Sequence, residues 1–143
     1  MVFKRNVVEE RLAFLRETIE ELKHHQDTPK DQFLKDRGLR WIAEHGLHLA
    51  AEAIFDIGNH ILVGRFKARA AGYDQVLPEL MSRGVVSEEL LKSFEKLGGF
   101  RNILVHEYLG VDPEKVYERL QNGLEDFVRF QREIVRWIKS LDE

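Results

Sequence analysis

The chain has 143 residues, 43% hydrophobic and 33% charged, a length that fits one domain over 1–143 around one sizeable core. Its apolar content excludes a disordered polymer, and a net charge of −3 excludes a nucleic-acid binder that works through a broad basic coat while leaving room for a local basic cleft. With no cysteine there are no disulfides, thiolate zinc sites or cysteine nucleophile, which fits a reducing, cytoplasmic setting. The opening residues Met1 to Asn6 lead into a charged helical pattern, so neither a signal peptide nor a membrane span is expected.

Proline stands only at positions 29, 78 and 113, and no stretch alternates as a strand would, so the chain reads as all-α. From Val8 the residues Leu12, Leu15, Ile19 and Leu22 line one stripe of a first helix, ended by Gln26-Asp27-Thr28-Pro29. A second, long helix is predicted from about Pro29 to Asp31 onward, with Ile42, Leu49, Ala50, Ala53, Ile54, Ile57 and Ile61 facing inward. Gly72 breaks the pattern, a short helix runs from about Asp74 to Arg83, and Gly84 closes it. Ser87 opens the next helix as N-cap, with Glu88 and Glu89 in its first turn, and Gly110 ends it. Asp112-Pro113 starts the last, which carries Val116, Leu120, Leu124, Phe127, Ile134, Ile138 and Leu141 on one face. Four long helices and one short one bury such stripes most simply as an up-and-down bundle.

The chemistry concentrates between Arg101 and Tyr108. At about 100° per residue on an ideal helix, Phe100, Ile103 and Leu104 fall together toward the core, whereas Arg101, Asn102, Val105, His106 and Tyr108 spread over the opposite arc. Asn102 and His106, four apart, are within reach of each other. Gly98-Gly99 just before them either admits a close backbone or ligand or separates two helical pieces. His106 suits proton transfer near neutral pH, Arg101 suits phosphate charge, and Asn102 can orient an imidazole or a ligand oxygen. RNA cleavage without a metal needs both a base and an acid; the segment has one histidine, and a second chain would supply the other. Residue types alone leave a simpler account, in which Arg101 forms a surface ion pair with Glu107 or another acid and His106 is a satisfied interface residue.

The spacing Arg101-Asn102 followed by His106 resembles the motif of the HEPN superfamily, and Arg101-x4-His106-x-Tyr108 is similar to the RX4HXY motif of the HepT family of ribonuclease toxins. The likeness extends over most of the chain, including Ala51–His60 and the Val111-Asp112 start of the last helix. It implies a HEPN-like helical homodimer that cleaves RNA without metal or cofactor, with Arg101 and His106 catalytic and Asn102 supporting them. It further implies an MntA-type nucleotidyltransferase antitoxin as partner, which silences the toxin by transferring AMP to Tyr108. Added charge and bulk in an RNA cleft would repel phosphate and occupy its place. The alternative is a non-catalytic HEPN module that binds nucleotide or a nucleotidyltransferase.

Other residues invite weaker readings. Asp56 and His60, four apart on the second long helix, are an auxiliary site candidate or an ion-paired helix edge. His45 and His48 with Glu44 and Glu52 resemble part of a metal cluster but read as a solvated face, so no metal site is expected. His24-His25 complements the dipole at the end of the first helix. Trp41 and Tyr73 carry no assigned role, and the basic run Arg65, Lys67, Arg69 is either a phosphate contact or a surface charge cluster.

Overall fold

The stripe that starts at Val8 becomes helix α1, Arg5–Lys23, in the computed structural model, which describes residues 3–96 and 112–142. Val8, Leu12, Leu15, Ile19 and Leu22 are all buried on it. The stretch predicted as one helix from about residue 30 breaks into α2, Lys30–Lys35, and α3, Arg37–Phe66. Asp36 causes the break: its backbone is extended, and its carboxylate accepts the N–H of Leu39 at 3.0 Å, capping α3.

That cap also sets which face of α3 turns inward. Leu39, Ala43 and Leu47 are buried, while Ile42 is 44% exposed and Leu49 only partly covered, so the expected stripe was off by a fraction of a turn here. From Ala50 through Ala53, Ile54, Ile57 and Ile61 the expected residues are buried. Gly46 explains the selection: Leu22 of α1 lies so close that a β-carbon on Gly46 would sit 2.6 Å from it. Arg11 of α1 meets Asp56, and Phe3 lies against Gly64, so α1 and α3 run antiparallel.

Helix α4, Tyr73–Ser82, lies along α3 in the same direction, with Tyr73 against Phe55 and Val76 over Gly58. Gly84, at φ 74°, turns the chain back in the left-handed conformation that glycine tolerates. Helix α5, Glu88–Lys96, then descends antiparallel to the last helix. The final predicted helix divides at Gly123, the weakest helix former of its neighbourhood, into α6, Pro113–Asn122, and α7, Leu124–Ser140. Leu120 and Leu124 are buried on either side, so the apolar stripe crosses the break.

Among the described residues there is no strand, no buried polar or charged side chain, and no helix long and apolar enough to cross a membrane. One apolar cluster draws on each of the seven described helices. Within it Phe94 of α5 meets Phe127 of α7 edge to face at 5.5 Å.

Candidate active site

Arg101, Asn102, His106 and Tyr108, with Gly98-Gly99 and the helix end expected at Gly110, lie outside the described residues. The structure gives the two elements that lead into and out of this segment, and both are held by specific contacts. At the start of α5, Ser87 Oγ accepts the N–H of Leu90 at 3.1 Å, the cap expected from the sequence. The same serine is tied to α7. Its backbone N–H donates to Glu133 Oε1 at 2.6 Å, and its hydroxyl donates to Glu133 Oε2 at 2.9 Å.

Arg129 completes this clamp by donating to Glu133 Oε2 at 3.1 Å and to Glu89 of α5. The Glu133 side chain is only 11% exposed, so its charge is stabilised by these donors rather than by water. Further along, Phe94 meets Phe127 edge to face. Helix α5 is thus fixed at both ends of its described length.

The exit is fixed as well. Asp112 Oδ1 caps α6 by accepting the N–H of Glu114 at 3.0 Å, with Pro113 in the first helical position. Tyr117 packs on Phe33 of α2 at 5.1 Å and donates its hydroxyl to the Thr28 carbonyl at 2.9 Å. Gln26 donates to the Leu120 carbonyl at 2.9 Å, and Gln121 donates to the Gln26 carbonyl at 2.6 Å. Residues 97–111 therefore start and finish on anchored helices.

Asp56 and His60 are in the described region, and each engages α1 rather than the other. Asp56 accepts from Arg11 at 3.2 Å; burial raises its carboxyl pKa above the ordinary value, against the pull of the arginine. His60 Nε2 accepts the backbone N–H of Lys4 at 3.1 Å, which assigns the ring proton to Nδ1. Burial, and then the positive charge of Arg11, lower the His60 pKa below its ordinary value. Phe3 lies against its ring at 5.9 Å.

His48 pairs with Glu52 along α3 at 3.0 Å, and among the described residues no group of three or more His, Asp or Glu side chains is disposed to hold a metal ion. Tyr73 packs against Phe55, and Trp41 is exposed beneath the guanidinium of Arg37. Sequence reasoning found the Ser87 cap and missed Glu133 and Arg129. Their partnership joins residues 46 and 40 positions apart, and only their four-residue spacing on one helix hinted at a pair.

A profile of the ribonuclease HepT-like family matches residues 15–134, a span that includes Arg101 to Tyr108, and the chain belongs to that family. The tRNA nuclease HepT of Aphanizomenon flos-aquae is 28% identical over 137 residues, 96% of this chain and 93% of that protein. The mRNA nuclease HepT of Shewanella oneidensis is 29% identical over 99 residues, 69% of this chain and 74% of that protein. Among solved structures, the tri-AMPylated HEPN toxin of Shewanella oneidensis in complex with an MNT antitoxin superposes with a TM-score of 0.79 at 24% identity over 93% of this chain and 99% of that one. That match establishes the shared all-α fold.

Proposed function

We propose that this chain is a metal-independent endoribonuclease, the toxin of a toxin–antitoxin pair, and that Arg101, Asn102 and His106 carry its chemistry. The observation that carries the reading is the Arg101-x4-His106-x-Tyr108 spacing within a chain of the ribonuclease HepT-like family. The relatives named above are a tRNA and an mRNA nuclease, so the common substrate chemistry is an RNA phosphodiester. An RNA substrate accords with a cytoplasmic location.

In the reaction, one histidine takes the proton of the 2′-hydroxyl as the 2′-oxygen bonds to phosphorus. The bond from phosphorus to the 5′-oxygen breaks, and a second acid protonates that leaving oxygen. Arg101 stabilises the charge that builds on the phosphoryl oxygens, and Asn102 orients the imidazole. Because the motif holds one histidine, His106 of a second copy serves as the other proton carrier, and the working unit is a homodimer. Silencing follows when Tyr108 takes AMP from ATP held by an MntA-type nucleotidyltransferase, with pyrophosphate leaving; the attached nucleotide then fills the RNA cleft with negative charge.

Asp56 and His60 serve to dock α1 on α3, and a His60→Ala dimer is expected to cleave RNA as the parent does. The decisive experiment incubates the purified protein with total RNA in chelator. Wild type should cleave, and His106→Ala and Arg101→Ala should each lose roughly 10²–10⁴-fold in rate. A wild type that leaves RNA intact while binding the nucleotidyltransferase tightly would establish the non-catalytic module instead. Mass spectrometry after co-expression should find AMP on the parent and none on Tyr108→Phe.

A further inference from the structure

The fold joins two acid-free stretches that lie far apart in the sequence. From Ile57 to Tyr73 there is no Asp or Glu, and Arg65, Lys67 and Arg69 fall there; Ile134 to Leu141 is equally free of acid and holds Arg136 and Lys139. Phe66 packs on Trp137 with ring centroids 6.2 Å apart, so the C-terminal ends of α3 and α7 share one end of the bundle. All five cations are exposed, and none meets an acid among the described residues.

Among the described residues, the acids that reach this end are already engaged. Glu79 is held by Arg83 at 2.7 Å, Asp142 by Arg5 at 2.6 Å, and Glu133 by Arg129 at 3.1 Å. A chain of net charge −3 therefore carries a concentrated positive field at one pole. Lys67 sits in the left-handed conformation at φ 53°, a position where glycine would be the residue of least strain. Beside the cations, a groove of about 500 Å³ runs between the turn at Gly84–Ser87 and α7, with Arg136 and Trp137 on its wall together with Glu89 and Glu133, both paired to Arg129.

We infer that this pole is a second RNA-contacting surface, distinct from the Arg101–Tyr108 motif, which holds the phosphate backbone of a folded RNA. The inference rests on the ribonuclease reading for the identity of its ligand. Its place in the fold fits a substrate longer than the scissile dinucleotide. Helix α5 runs from the groove down to Phe94 at the level of Phe127, ten residues along α7 from Trp137 and so about 15 Å away. The chain leaves for residues 97–111 from that lower level.

The test measures binding of a tRNA transcript to the His106→Ala protein by fluorescence anisotropy across a salt series. Replacing Arg65, Lys67 and Arg69 by Ala, and separately Arg136 and Lys139 by Ala, should raise Kd on the order of tenfold or more and flatten the log Kd against log salt slope by roughly 0.7–0.9 per cation that meets a phosphate. A control lacking Arg16, Lys30 and Lys35 should change the slope far less. Equal slopes for parent and variants, or an equal loss in the control, would overturn the inference. Unchanged RNA binding with lost capture of the nucleotidyltransferase would overturn it too, and assign the pole to an acidic protein surface. Failure of the ribonuclease reading registers separately: a wild type that binds RNA through these cations yet never cleaves it retains this surface and loses the catalytic assignment.

Discussion

The seam between α1 and α3 and the clamp between α5 and α7 hold helices together by opposite means. The seam is apolar and close: Leu22 lies on Gly46, Ala50, Ala51 and Ala53 are buried, and polar contacts such as Arg11 to Asp56 stay at its margin. The clamp is polar and directional, built from Ser87, Glu89, Arg129 and Glu133 over the aromatic contact of Phe94 with Phe127. Apolar burial supplies most of the free energy of such a fold but tolerates small shifts. Hydrogen bonds to an ionised, nearly buried carboxylate fix orientation, and α5 is the helix that enters the motif-bearing segment.

Substitutions can break the two regions separately. Leu15→Ala, at a fully buried position of α1, should cost about 2–5 kcal/mol in urea unfolding through lost transfer energy and a cavity. Gly46→Leu should cost about 1–3 kcal/mol, because Leu22 is itself buried and cannot swing away; an unchanged midpoint would mean the seam is looser than its geometry. Ser87→Ala removes a helix cap and the hydroxyl donor to Glu133 Oε2, leaving the backbone N–H bond to Oε1, at a cost of about 1–3 kcal/mol. Ser87→Thr should restore most of that loss. The clamp variant should depress RNA cleavage beyond its effect on stability, whereas the seam variants should not; equal specific activity in all three would erase the functional contrast.

The smallest effect belongs to His60 and depends on pH. Its pKa is lower in the folded chain than the ordinary 6.5, so its contribution to stability is present above pH 6.5 and is lost as pH falls through the folded value. His60→Gln keeps an acceptor for the Lys4 N–H and removes the titration. The parent should therefore lose more stability than His60→Gln between pH 7 and pH 5, and parallel losses would show that another group dominates.

Much of this was legible from the one-dimensional pattern. The buried face of α1, the caps at Ser87 and Asp112 and the turn at Gly84 all follow from local rules that act within a few residues. The break at Asp36 was not, because the carboxylate had to choose between helix interior and cap, and the buried face of the first half of α3 followed from that choice and from Leu22 packing on Gly46. The motif was legible as residue types with an ion pair as the simpler account, and its resemblance to a ribonuclease family tipped the balance. The clamp and the basic pole were hidden for one reason. Each depends on partners brought together only by tertiary packing, Ser87 with Glu133 and Phe66 with Trp137.

The clamp also orders events during synthesis. Chains are made from the N-terminus, and the residues on both sides of the α1–α3 seam are all present once Phe66 has emerged. Ser87 and Glu89 emerge next, followed by the Arg101–Tyr108 segment, while Arg129 and Glu133 come last. A ribosome-bound chain that stops short of Glu133 holds the complete motif sequence downstream of an entry helix whose polar tether has not yet been made.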